Sequence, residues 1–223
     1  MRISLVTPLY NSEPYVAELY RRAKSAIGQI TDDYEIVFVN DDSPDASLQT
    51  AKRIAASDSR VVVIDLSRNF GQHAALMTGI AASTGDYVFI CDSDLEEEPE
   101  WIPVFFEELK KHACDVVYGV QTAKRGSVLY RIARRVFYKS LNLVSGIDFP
   151  ANITTARLMT RRYVDALLQY RERELFAAGI WFMTGFEQRP HNVVKPNTAQ
   201  RRIDLAASPP SSSMPSPHFR RAP

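Results

Sequence analysis

Short β-rich runs alternate with longer helical stretches through the first 120 residues, and few architectures accommodate that rhythm. Ile3 to Thr7, Glu35 to Asn40, Val61 to Leu66, Tyr87 to Cys91 and Asp115 to Val120 are the strand candidates. Ser12 with Pro14 just behind it, and Pro99 ahead of the run ending at His112, mark helix starts. Strands that each return through a helix pair in parallel, so the pattern predicts an α/β fold of three layers with a mostly parallel central sheet. Ligands of such sheets bind outside the carboxyl ends of the strands.

Composition bounds the rest. At 223 residues and 45% hydrophobic the chain can bury one ordinary core, and 27 basic against 26 acidic side chains give no reason to expect nucleic acid as a partner. Cys91 and Cys114 form neither a disulfide framework nor a metal-ligand spacing, which favours a reducing compartment. No apolar run approaches the roughly 20 residues that span a bilayer, and the N-terminus enters a strand pattern at Arg2 without a signal-peptide layout. His73, His112, His191 and His218 form no ligand cluster and are assigned no chemistry.

Unusual residues gather at three strand ends: Thr7 to Glu13 (TPLYNSE), Asn40 to Asp45 (NDDSPD) and Asp92 to Glu98 (DSDLEEE). An Asx-rich segment is ordinarily just a turn. Carboxylates at several ends on one edge of a sheet, however, repel one another unless a cation or hydrogen-bond donors offset them. Alternate residues leaving a strand point the same way, so Asp92 and Asp94 can converge on one site as hard oxygen ligands for Mg²⁺ or Mn²⁺. An ion held by one or two carboxylates completes its shell with water and phosphate oxygens, which points to a diphosphate. Glu96, Glu97 and Glu98 are expected, for at least two of the three, to be an acidic lead-in to a helix N-terminus.

The segments LVTPLYNSE, YEIVFVNDDSPDAS, VVVIDLSRNFGQHAALMTGIAASTGDYVFICDSDLEEEPEWIP and DVVYGV resemble the nucleotide-sugar-binding half of family 2 glycosyltransferases. Within that family they are most similar to the branch of dolichol-phosphate mannosyltransferase and the bacterial polyprenyl-phosphate glycosyltransferases. The resemblance covers Met1 to Val120 well, is patchier to Val194, and ends there. It implies a GT-A (Rossmann-like) fold, an inverting hexosyltransferase, a UDP- or GDP-linked sugar donor, and Mg²⁺ or Mn²⁺. It also implies a polyprenyl-phosphate acceptor and a cytoplasmic, peripheral place on the inner face of the plasma membrane.

Carried over by position, Pro8, Tyr10, Asn11 and Glu13 match the loop that touches the nucleotide, and Asp41 the aspartate that reads the base. Arg68 and Gln72 fall in the loop near base and diphosphate. Asp92 and Asp94 match the Asp-x-Asp pair, with Asp94 the direct metal ligand and a catalytic residue alongside Arg157. Cleaving the sugar–diphosphate bond builds negative charge on the leaving group, which a divalent ion at Asp94 would offset.

A hydroxyl acceptor needs a general base, whereas a phosphate oxygen is already ionised and needs cations to hold it. From Val116 to Ile147 there is no acidic side chain, and Lys124, Arg125, Arg131, Arg134, Arg135 and Lys139 interleave with apolar residues. Such a helix suits an anionic membrane surface, and Arg131 and Arg135 are candidates for the acceptor phosphate. A solvated helix packed on the sheet is the plainer reading of the same pattern.

The chain departs from the branch at Asn152 to Tyr163, where Thr154, Thr155 and Ala156 stand in place of the expected aspartate. Either a phosphate acceptor makes a base unnecessary, or Asp148, Glu172 or Glu174 serves, or the acceptor is a saccharide hydroxyl of a surface glycan. A non-enzymatic donor-binding remnant is a third possibility. Trp181 and Phe182 are expected in the core. The resulting organisation is a nucleotide-sugar-binding half over 1–120, acceptor-side and membrane-interface helices over 121–195, and a tail over 196–223. That tail carries six of the 13 prolines and reads as disordered, or as the product of a reading-frame change near Lys195, which alternative frames of the encoding DNA would reveal.

Overall fold

The computed structural model describes residues 1–121, 152–170 and 177–195. The five expected strands form, as β1 (Ile3–Leu9), β2 (Tyr34–Asn40), β3 (Val61–Asp65), β4 (Tyr87–Ile90) and β5 (Val116–Gln121). Between them run α1 (Glu13–Ile27), α2 (Ser47–Ser57), α3 (Gln72–Ala82) and α4 (Trp101–His112). Two strands that the sequence pattern did not suggest follow: β6 (Ile153–Thr160) and β7 (Gln188–Val193), with α5 (Arg161–Leu167) and α6 (Ala177–Met183) between them.

All seven strands share one sheet in the order β3-β2-β1-β4-β6-β5-β7. Six run the same way; β6 is antiparallel to both its neighbours. β1 and β2, in the middle of the sheet, are buried on both faces and read as largely apolar runs. Alternation divides them: Leu5, Phe38, Phe89 and Leu158 pack toward α1 and α4, while Val6, Val37, Ile90 and Met159 pack toward α3 and α5. Gly79 lets α3 lie close to the sheet. A Cβ there would overlap Val6 Cγ1 and sit 2.8 Å from Val39 Cγ2.

Register fixes where the site lies. Leu9 pairs with Asn40, and Val6 pairs with Ile90, so the loops after β1, β2 and β4 leave the same edge of the sheet. Because β6 runs backward, its Arg157 is paired with Ile90 beside that edge.

Candidate functional site

These three loops and the segment after β3 enclose a cleft of ≈ 380 Å³ lined by Pro8, Tyr10 and Asn11, by Asp41, by Gly71 and Gln72, and by Asp92 to Asp94. Seven of the residues carried over from the family resemblance therefore share one cavity. Glu13, at the first position of α1, and Arg68, whose guanidinium lies 4.1 Å from the centre of the Phe70 ring, do not line it. Ser12, Asn69 and Ser93 also line it, and sequence reasoning assigned them no role.

Asp41 is buried, and its two carboxylate oxygens accept from the backbone N–H groups of Phe70 at 2.7 Å and Gly71 at 2.9 Å. It thus pins the Arg68–Gln72 loop over the cleft, and Gly71 supplies the φ of +91° that the bend requires. From the start of α3, Gln72 Nε2 donates to Asp92 Oδ1 at 2.5 Å. Asp94 Oδ1 accepts from the Glu96 N–H at 2.9 Å, closing a tight turn in which Leu95 adopts φ +60°.

Glu97 departs from the expected helix lead-in. It is fully buried, and its carboxylate accepts from the Thr155 N–H at 2.9 Å and the Asp92 N–H at 3.3 Å, with Lys195 Nζ at 3.2 Å. Glu98 and Glu100 instead turn outward to Arg22, at 3.2 and 2.6 Å. The helix itself begins only at Trp101. Burial, and then the neighbouring Glu97 charge, push Asp92 up to about 7 against the pull of Lys195 and a hydrogen bond from the Thr155 side chain. Burial likewise raises Glu97.

Those two raised carboxylates mark a place where a cation is favoured, and the oxygen donors of Asp92 and Asp94 fit Mg²⁺ or Mn²⁺. Among the described residues no three His, Cys, Asp or Glu side chains converge as a metal-holding group. An ion here would therefore draw further oxygens from water and a bound ligand.

Arg157 is fully buried next to this edge. Its guanidinium lies 3.2 Å from the centre of the Trp181 ring, and Nε donates to the Thr155 carbonyl at 3.2 Å. Nη1 has no hydrogen-bond partner among the described residues, and burial lowers the group to about 10. Trp181 is buried and Phe182 packs against Tyr118, as expected of core residues. Arg131, Arg135, Asp148, Glu172, Glu174 and the 196–223 tail lie outside the described residues.

A mostly parallel sheet whose first, second and fourth strand ends meet in one carboxylate-bearing cleft defines an α/β protein of the GT-A class. The chain belongs to Glycosyl transferase family 2, whose sequence profile matches residues 4–168. It is 49% identical over 195 residues to a Mycobacterium tuberculosis (strain CDC 1551 / Oshkosh) protein described as "Putative glycosyltransferases", covering 87% of this chain and 57% of that one. It is 38% identical over 175 residues to the undecaprenyl-phosphate 4-deoxy-4-formamido-L-arabinose transferase of Pseudomonas fluorescens (strain Pf0-1), covering 78% and 51%. The chain thus spans between about half and three fifths of the length of these curated relatives. The mannosyltransferase PcManGT of Pyrobaculum calidifontis, solved with GDP-Man and Mn²⁺, shares the fold at a TM-score of 0.58 and 18% identity, over 92% of this chain and 61% of that one.

Proposed function

We propose that this chain binds a UDP- or GDP-linked sugar with Mg²⁺ or Mn²⁺ and serves an inverting transfer of that sugar to a polyprenyl phosphate at the inner face of the plasma membrane. The observation that carries the reading is the cleft, where Asp92 and Asp94 face a nucleotide-sized cavity from the end of β4. In it, Pro8, Tyr10 and Asn11 flank the nucleoside. Asp41 retains a lone pair on each carboxylate oxygen after holding the Phe70–Gly71 backbone, enough to accept from a base N–H. Gln72 orients Asp92, and Asp94 ligates the ion that offsets charge on the departing diphosphate. Arg157, buried and paired with Ile90 at the end of β4, adds a fixed positive charge near Glu97.

The residues on β6 support a phosphate acceptor. Thr154, Thr155 and Ala156 offer no carboxylate, and an ionised phosphate acceptor needs none. The name of the Pseudomonas relative supports the same acceptor class. Arg131 and Arg135 would hold the phosphate. The basic 124–139 segment, with its interleaved apolar residues, would attach the chain to the anionic membrane surface.

Calorimetric binding of UDP and of GDP, each with and without Mn²⁺, tests the donor half. One nucleotide binding in a metal-dependent way to the native chain, and not to Asp94→Asn, is the expected result. A folded chain that binds neither nucleotide refutes it. Transfer of radiolabelled sugar to undecaprenyl phosphate in liposomes, rather than to a soluble saccharide, tests the acceptor.

A further inference from the structure

Ser12 has the position and type of a helix N-cap, yet its hydroxyl does not cap α1. The local sequence explains why. Pro14 removes the N–H at the second helical position, and the next one, Tyr15 N–H, bonds the Ser12 carbonyl at 2.8 Å. The hydroxyl is released, and it turns into the cleft.

There it lies 2.6 Å from the hydroxyl of Ser93, the middle residue of Asp92-Ser93-Asp94. Both serines are buried, at 3% and 8% exposure. Ser12 Oγ accepts the Tyr10 N–H at 3.1 Å and also lies 3.1 Å from the Tyr10 carbonyl oxygen. The two hydroxyls thus share a hydrogen bond across the gap between the two loops, in which either can be the donor. Ser12 is itself held from the third loop: its N–H donates to Ser47 Oγ at 3.0 Å. Asp45 gathers the rest, accepting from the Ser47 and Ser43 hydroxyls at 2.5 and 2.7 Å and from the Glu13 N–H at 2.9 Å. The loops after β1, β2 and β4 are thereby joined by side-chain hydrogen bonds that run from Asp45 through Ser47 and Ser12 to Ser93.

We propose that Ser12 and Ser93 are positioning residues for the cation site, fixing Asp92 and Asp94 in a ligating arrangement before the divalent ion arrives. The inference rests on the donor-site reading above. Its physical basis is preorganisation: a loop held at its central residue loses less conformational freedom when its two carboxylates engage an ion.

The experiment is calorimetric titration of nucleotide, with and without Mn²⁺, and of Mn²⁺ alone, on the native chain, Ser93→Ala, Ser12→Ala, the double variant and Ser12→Thr. Thermal melting is recorded for each. Expected are a loss of about 3- to 10-fold in Mn²⁺-dependent affinity for each alanine variant, with metal-free nucleotide affinity held within about 2-fold. The double variant should lose no more than Ser12→Ala, and Ser12→Thr, which keeps the hydroxyl, should recover most of the loss. Ser93→Ala leaves every Ser12 bond to its own loop intact, so it tests the bridge even where Ser12→Ala does not fold. Native-like Mn²⁺ dependence in Ser93→Ala, or equal losses with and without metal, overturns the proposal and leaves the donor reading standing. Absence of metal-dependent binding by the native chain overturns both.

Discussion

Glu97→Gln is the substitution that most directly probes how the carboxylate edge is tuned. In the native chain Asp92 stands at about 7 because it is enclosed and because the Glu97 charge lies beside it. An aspartate must be ionised to ligate a metal. At pH 6 about one tenth of Asp92 is ionised and at pH 8 about nine tenths, so apparent Mn²⁺ affinity should rise about tenfold across that interval. Glutamine keeps the shape and leaves burial, the larger cause, in place, but removes the neighbouring charge. The rise should then shrink to about two- or threefold.

The sign extends to stability. A carboxylate whose folded value exceeds its unfolded one binds more protons when folded, so the metal-free protein is stabilised at low pH and loses that contribution as pH rises through about 7. Mn²⁺ calorimetry at pH 6, 7 and 8 with the nucleotide present is the assay. The nucleotide's own terminal phosphate titrates alike with both proteins and cancels in the comparison. Profiles that coincide for the native chain and Glu97→Gln would refute the coupling of Glu97 to Asp92.

Three further outcomes follow from the packing. Lys195→Met strips the buried Glu97 of its cation while leaving two backbone donors, and should cost about 2 kcal/mol, read as a fall of about 4 to 8 °C in Tm. Gly79→Ala places a methyl group against Val6 and Val39 and should destabilise by about 1–3 kcal/mol in denaturant unfolding, with the cleft's nucleotide affinity retained in the folded fraction. Asp58 is held well below the usual carboxylate range by hydrogen bonds from Arg60, Tyr20 and Tyr34, so it stabilises above the unfolded value and that contribution is lost as pH falls. Asp58→Asn should therefore flatten the loss of melting temperature on acidification.

β1 and β2 were legible because burial on both faces writes them as largely apolar runs, and half-exposed β3 because its residues are mostly β-branched. β6 was not, since Thr154, Thr155 and Arg157 interrupt its apolar pattern and the buried arginine stacks on Trp181, far along the chain. β7 carries Pro190, a signal against a strand that holds only for central ones; as an edge strand, paired on one side with β5, it tolerates a missing N–H. In the site, Asp92 and Asp94 declared themselves by type and spacing. Ser12 and Glu97 did not, because each imitates a helix-start signal, and their use in the cleft depends on contacts with Ser93 and with Thr155 and Lys195, distant in sequence.

These partners also account for the charge concentrated after β4. Of its six carboxylates between Asp92 and Glu100, Glu98 and Glu100 are met by Arg22 on the outer side, and Glu96 and Glu97 share Lys195 on the inner side. Asp92 and Asp94 are the two that line the cleft. Among the described residues Arg22 and Lys195 are the cations whose ion pairs meet this edge, and in a partly enclosed place like charges such as Glu97 and Asp92 repel unless a proton or a counterion offsets them. Protonation of Asp92 is one relief, favoured by its burial and by the Glu97 charge, which push it up to about 7. A divalent ion between the two aspartates is the other. Since the first relief is removed by raising pH and the second by chelation, the metal-free chain should lose stability between pH 6 and 8 and regain it on adding Mn²⁺ with the preferred nucleotide. A melting temperature insensitive to both would mean that Lys195 and Arg22 already balance the edge.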